Sequence, residues 1–248
     1  MTHLRPIQAE VLSFMAILDH ALVVADGDVD VALLAELARA TDPPPLLIAA
    51  DGGAARVLAA GLMPGIVVGD FDSLAEADRA HLEELGVELR VADRDKDESD
   101  MELCLLTALG AGVDRVTILG ALGVVRPEHS VANLLLLADP RLDEIDVAIA
   151  GRGSRICRIG TAGGGGEAHI EGEAGDFVSL FALGGSVEGV STTGLRFSLT
   201  DETLCLGPSR GLSNELLGHD ARVTSRRGCL LVIHTHRSMS DAPPTGWS

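Results

Sequence analysis

The chain has 248 residues, 46% hydrophobic and 2% aromatic, enough apolar material for one large packed core or two modest ones, as in a soluble globular protein. Its 19 basic against 37 acidic side chains leave a formal charge of −18, which repels nucleic-acid backbones and anionic lipid surfaces alike. With so few rings and no basic tract, a stacking platform for single-stranded nucleic acid is excluded too, and neither nucleic acid nor membrane is expected as a partner.

In chain order, the stretch VLSFMAILDHALVVAD is broken by Asp19 and His20, which suits neither a signal-peptide core nor a span of about 20 apolar residues. The four cysteines, Cys104, Cys157, Cys205 and Cys229, are far apart with no CxxC pair. They read as buried small hydrophobes of a protein kept in a reducing cytoplasm. From there to about residue 150 one rhythm repeats, a short β-branched run, a turn and a helical pattern. The runs are ALVVAD, PLLIAAD, GIVVGD, VELRVAD, RVTILGA and IDVAIAG, separated by segments such as VALLAELARA and LAEADRAHLEELG. This predicts an α/β half over 1–152 with a mostly parallel sheet covered by helices. Four of the runs end in aspartate, Asp26, Asp51, Asp70 and Asp93. Because ligands of open α/β sheets bind beyond the strands' carboxyl ends, one edge should carry a rim of carboxylates.

From about Cys157 the pattern turns to short alternating runs with glycine-rich turns, among them EAHIEGEAGDFVSLFAL, GLRFSL and GCLLVIHT. Residues 153–248 are therefore expected as an all-β sandwich or flattened barrel, with the glycine run 160–166 as a flexible loop and SMSDAPPTGWS as a loose tail.

Three segments carry chemistry. In AADGGAARVLAAG, Asp51 ends a strand and Gly52 and Gly53 open a helix closed by Gly61; amide groups at such a start favour anions. In VVGDFDSL, alternation in an extended segment would point Asp70 and Asp72 the same way and Phe71 back. In DRDKDESDMELCLLTALG, Asp93, Asp95, Asp97 and Asp100 surround Lys96, the only lysine, with Ser99 and Glu102 spaced as a capping box and Gly110 as the helix stop. Complementing a helix N-terminus accounts for one or two of these carboxylates, at about 1 kcal/mol, but not for four. Two ionised carboxylates about 4 Å apart repel by roughly 4 kcal/mol at an effective dielectric of about 20. Gathering several calls for a divalent cation, and all-oxygen donors without histidine or cysteine point to magnesium shared with substrate phosphates. Beyond the next strand, GALGVVRPEHSVANLLLLADP places Arg126, His129 and Asn133 where they could contact a phosphate or nucleotide, the last two four apart on one helix face.

Taken in order, DGG, GDFDSL, DxDxSD, RxEHxxxN, GDFVSL, STTGLRFSL and GLSNE make residues 46–232 resemble the thiamine pyrophosphokinase family. The resemblance implies transfer of the pyrophosphoryl group of ATP to the hydroxyl of thiamine, with magnesium required and AMP released. It also implies a homodimer whose thiamine pocket lies between the α/β half of one subunit and the β half of the other. By matching positions, Asp70, Asp72, Asp95 and Asp97 would hold metal. Asp51, Gly52, Ser73, Ser99, Arg126, His129 and Asn133 would contact ATP, and Asp72, Asp97, Asp100 and Lys96 would carry catalysis. Lys96 or Arg126 would touch the moving oxygens, and Asp100 or Asp97 would accept the alcohol proton. Phe197, Ser213 and Asn214 would meet thiamine, the ring of Phe197 stacking on the cation or its aminopyrimidine. The chain departs from the family's GGRxDHxxxN segment, reading GVVRPEHSVAN, with one extra residue, valines for a second glycine and Glu128 for aspartate. Two rival readings are a haloacid-dehalogenase-type phosphatase with an aspartate nucleophile in GDFDS, and a homologue that binds thiamine or nucleotide without turnover. The phosphatase loop normally follows the first strand, whereas here it follows the third.

Overall fold

A computed structural model describes residues 19–71, 74–93, 95–123, 125–161 and 163–240. The α/β half alternates strand and helix as expected: β1 (His20–Val24), α1 (Val31–Leu37), β2 (Leu46–Ala50), α2 (Gly53–Ala59), β3 (Ile66–Gly69), α3 (Glu76–Glu84), β4 (Glu88–Val91), α4 (Asp100–Gly110), β5 (Arg115–Leu119), α5 (Pro127–Leu136) and β6 (Asp146–Gly151). These strands pair in parallel in the order β4-β3-β2-β1-β5-β6. Strand periodicity sorts the side chains onto two faces. Ala21, Val23, Ile48, Ile66 and Val68 pack against Met101, Cys104, Leu105 and Ala108 of α4. Leu22, Val24, Ala49 and Val67 pack against Leu34, Ala54, Val57 and Leu82 of α1, α2 and α3. A sheet covered on both faces needs apolar residues at every strand position, and β1 is buried at all five.

The sheet does not end at β6. After the turn at Arg152 and Gly153 come β7 (Ser154–Ile159), β8 (Gly166–Glu171), β9 (Phe177–Thr193), β10 (Glu202–Leu204), β11 (Asn214–Glu215), β12 (Asp220–Ser225), β13 (Arg227–Thr235) and a last short helix, α6 (Arg237–Ser240). Strand β7 pairs antiparallel with β6 and β13, and the path runs on through β9 and β12 to β8. The long β9 pairs first with β13 and later with β12. It passes Gly184, at the register shift within the β13 pairing, and Gly189, between the two pairings, at φ of +72° and +70°, where a side chain would be strained. The curled sheet encloses a second core of Ile159, Ile170, Leu180, Val190, Val223 and Leu230.

Several local expectations change. The stop of α4 is Gly112 at φ +76°, with Ala111 as C-cap and Gly110 still helical. Only half of the capping box forms: Ser99 Oγ accepts from Glu102 N, while the Glu102 carboxylate pairs with Arg141. The described part of the glycine run is held rather than loose: Thr161 N donates to Gly164 O at 2.9 Å, and a Cβ on Gly165 would stand 2.0 Å from Ser225 O, while Ala162 lies outside the described residues. Of the cysteines, Cys104 and Cys229 are buried, Cys157 is half-buried and Cys205 is exposed. Of the tail expected over 238–248, residues 238–240 belong to α6 instead and 241–248 lie outside the described residues; among those described no helix is long and apolar enough to cross a membrane.

Two glycines separate packing from propensity. A Cβ on Gly53 would stand 2.1 Å from the Val24 carbonyl oxygen, whereas Gly110 has nothing within 4 Å. Gly53→Ala is expected to cost at least about 2 kcal/mol, and Gly110→Ala to stabilise by about 0.5–1 kcal/mol. Urea unfolding of the two variants checks both signs.

Candidate active site

Strands β2 and β3 deliver Asp51 and Asp70 to the carboxyl edge of the sheet, one residue past each strand, and α4 begins at Asp100. One carboxylate oxygen from each of these three residues lies within 4.8 Å of the other two. Asp51 is 7% exposed and sits at φ +41°, a left-handed conformation that aspartate tolerates better than most residues. Its amide donates to Val68 O at 2.9 Å, extending the pairing of β2 with β3. Glycine at 69 makes the approach possible, since a Cβ there would lie 2.9 Å from that of Asp51. Sequence reasoning passed over this role, although a glycine before the paired aspartates was its available signal.

Lys96 faces the cluster. Its Nζ is 2.9 Å from Asp100 Oδ1. Burial works against its charge, but the hydrogen bond and charge of Asp100, with the charges of Asp70 and Asp51, outweigh burial and raise its pKa above the ordinary lysine value. One cation against three carboxylates leaves an excess of negative charge. An all-oxygen donor set of this kind fits a hard divalent cation.

The other predicted residues fall in different places. Asp95 and Asp97 are exposed and outside the cluster, and the Asp95 amide is taken by Asp93 Oδ1 at 3.1 Å. Asp72 and Ser73 lie outside the described residues. Phe71 has φ +59° and is buried among apolar side chains that include Leu74. Phe71 therefore leaves the extended region, and the alternation expected through Asp70 and Asp72 runs onto a residue, Asp72, outside the described ones. Gly52 is the N-cap of α2, where a Cβ would stand 2.8 Å from Asp26 Oδ2. Ser99 spends its hydroxyl on capping α4. Arg126 is exposed and pairs with Glu128 at 2.7 Å, and His129 is exposed. Asn133 is buried and donates to Ala121 O at 2.7 Å, pinning α5 to the turn after β5. A cavity of about 560 Å³ opens between β4 and α4, lined by Val91, Asp93, Lys96, Leu103 and Thr107. Lys96 is the member of the acidic site that reaches it.

In the β half, Phe197 is 59% exposed, with the Arg196 guanidinium carbon 5.4 Å from its ring centroid. Buried Asn214 clamps its backbone: Phe197 N donates to Asn214 Oδ1 at 2.9 Å, and Asn214 Nδ2 donates to Phe197 O at 2.7 Å. Ser213, at φ +57°, donates its amide to Ser179 Oγ. The ring is thus held out on an ordered loop, and Asn214 acts by positioning it.

Residues 37–149 match the family model described as thiamin pyrophosphokinase, catalytic domain, and residues 167–230 the one described as thiamin pyrophosphokinase, vitamin B1 binding domain. A thiamine pyrophosphokinase from Bacillus subtilis is 28% identical over 214 residues, covering 86% of this chain and 97% of the relative. Thiamine pyrophosphokinase 1 from Oryza sativa subsp. japonica is 26% identical, covering 76% and 78%. The crystal structure of the Bacillus subtilis enzyme superposes with a TM-score of 0.75 at 25% identity, covering 88% of this chain and 99% of that one. The yeast thiamin pyrophosphokinase structure, at 15% identity and a TM-score of 0.70 over 90% of each chain, shares the fold.

If the cluster holds a divalent cation, magnesium at about a hundred times its dissociation constant adds about 2.7 kcal/mol to stability. In Asp70→Asn that gain should disappear, while stability without magnesium stays equal or rises because one of three repelling charges is gone. Thermal unfolding with magnesium and with chelator measures both effects.

Proposed function

Since the chain belongs to the thiamine pyrophosphokinase family, we propose that it transfers the pyrophosphoryl group of ATP to the hydroxyl of thiamine, giving thiamine diphosphate and AMP. The observation that carries this reading is the convergence of Asp51, Asp70 and Asp100 beside Lys96 at the carboxyl edge of a parallel sheet. Magnesium held by Asp51, Asp70 and Asp100, joined by Asp72, would neutralise charge on the donor's phosphate oxygens. Lys96 adds a positive charge already directed at the same space, suited to oxygens that gain charge as the phosphoryl group moves. Asp100 is committed to Lys96 and the cluster. Asp97 is exposed, with no hydrogen bond or ion pair among the described residues, and is the carboxylate we assign to accept the alcohol proton. Asp95, Ser73, Ser99, Arg126, His129 and Asn133 we place around the nucleotide. Of these, Ser99 and Asn133 act by holding the starts and flanks of α4 and α5.

Thiamine is a cation with two flat rings, and the exposed, clamped ring of Phe197 offers it a face. We propose a homodimer in which this face lies against the acidic site of the partner. Phe197, Leu206, Leu212 and Leu217 are all more than half exposed on the segments around Asn214, an apolar surface of the kind a second subunit covers. In this reading 1–152 is the ATP and magnesium half and 153–248 the thiamine half, divided at the turn between β6 and β7. The family's reaction belongs to the cytoplasm, where ATP is plentiful, and we place the protein there. The altered GVVRPEH loop leaves Arg126 paired with Glu128 across exposed backbone, so a nucleotide would compete with that pair for the guanidinium.

Incubation with ATP, thiamine and magnesium should give AMP and thiamine diphosphate in equal amounts; inorganic phosphate in their place would favour the phosphatase reading, and binding without either product a non-catalytic one. Asp100→Asn is expected to lower kcat by at least about 100-fold with little change in the thiamine KM. Phe197→Ala should instead raise the thiamine KM by about tenfold at nearly constant kcat, the loss of about 1.4 kcal/mol of ring contact. A normal KM would put thiamine elsewhere.

A further inference from the structure

A second group of metal-binding donors lies away from the acidic edge, where β13 ends. His234 lies in β13 and His236 one residue past its end, and both rings turn to the same carboxylate. Phe177 pairs with Thr235 in the antiparallel ladder, so Asp176, one residue before β9, comes opposite His236. His234 Nε2 and His236 Nδ1 each lie 3.0 Å from Asp176 Oδ2. The three donor atoms are all within 4.8 Å of one another. Asp176 is 3% exposed, and the amides of Glu173 and Arg237 donate to its two oxygens at 3.0 Å each. Burial pushes this carboxyl up, but those amides and the His234 ring outweigh it and hold it at about 2. Gly172 lets the turn close over the group, since a Cβ there would stand 2.6 Å from Asp176 Oδ2 and 2.8 Å from His234 Nε2.

We propose that Asp176, His234 and His236 form a binding site for a divalent transition-metal ion of zinc type, separate from the acidic cluster and different from it in donor chemistry. Two imidazoles and a carboxylate suit zinc and its neighbours, whereas carboxylates alone suit magnesium. In a tetrahedral sphere with bonds of about 2.0–2.1 Å, neighbouring donors are about 3.3 Å apart. The two 3.0 Å contacts therefore need to open by a few tenths of an ångström, and the two ring nitrogens, which lie within 4.8 Å of each other, to settle at the same spacing. The carboxylate is already oriented by two backbone amides, which is the outer support that metal ligands require. His234 Nε2 and His236 Nδ1, the ring nitrogens that face Asp176, would carry the ion, any proton on them being displaced on binding. Access is open on two sides: the His236 side chain is 48% exposed, and His234 lines a cavity of about 460 Å³ together with Glu171 and His169. Water can fill the remaining coordination position from either side. An ion held there would fasten the end of β13 to the turn that precedes β9.

The test is a zinc titration of the full chain, free of any affinity tag, in saturating magnesium so that the acidic cluster is occupied. Calorimetry should show one zinc per chain in the micromolar range or tighter, and zinc should raise the unfolding temperature. His236→Ala removes a half-exposed ring and leaves the amide bonds of Asp176 in place. It should weaken zinc at least about tenfold and abolish the zinc-dependent rise, and His234→Ala with His236→Ala should remove binding altogether. Asp100→Asn, in the other cluster, should leave zinc affinity unchanged. Zinc binding no tighter than millimolar, binding indifferent to His236→Ala, or binding lost in Asp100→Asn would each overturn the proposal. If the double variant fails to fold, the affinity and unfolding shift of His236→Ala alone decide.

Discussion

Mutual repulsion among Asp51, Asp70 and Asp100 is the constraint around which the α/β half is organised. Each pair costs on the order of several kcal/mol at the separations seen, so the fold must hold them against relaxation. It does so with backbone. Asp51 is locked at a left-handed φ by its pairing to Val68, and Gly69 removes the side chain that would push it away. Gly53 lets α2 start against the carbonyl of Val24 in the buried central strand. Lys96 offsets part of the charge and is itself held in the charged form by doing so. A site prepared in this way has little left to reorganise when a cation and a polyanion arrive together, which is where electrostatic catalysis is most effective.

The β half is organised around a different requirement, an aromatic face kept in solvent. Leaving Phe197 exposed is unfavourable by itself, and the reciprocal hydrogen bonds of Asn214 prevent its loop from folding the ring back into the core of Leu195, Leu199 and Leu216. The two halves share one strand path through β6, β7 and β13, so the acidic edge and the clamped ring belong to one framework. In the proposed function the acidic edge takes the substrate that brings phosphates and the aromatic face the one that brings a ring cation.

Much of this was legible in the letters because it depends on local rules. The six apolar runs of the first half became the six parallel strands, and the change to short alternating runs marked where β7 begins. Asp51, Asp70 and Asp100 were all legible as candidates because each ends a strand pattern or opens a helix. What misled was the assumption of uniform local conformation. Phe71 leaves the extended region with its ring buried, so uniform strand geometry stops at that residue. Gly110 and Gly112 are equally good helix stops by composition, and the end of α4 was decided two residues late, at Gly112. Gly160 and Gly165 in the run are fixed by close backbone approach to Gly228 and Ser225, whereas Gly163 has open space around it.

The order of strands and helices, the surplus of acid and the residue types available for chemistry were determined by the sequence alone, since they follow from periodicity, composition and short motifs. Which carboxylates meet was decided only in three dimensions. Asp95 and Asp97 are nearer to Lys96 in the chain than Asp51 is, yet it is Asp51, some 45 positions away, that parallel pairing of β2 with β3 brings to the cluster. The same holds for Asp176 beside His234 and His236. Such meetings depend on register between distant strands, a property of the assembled sheet that no single segment contains.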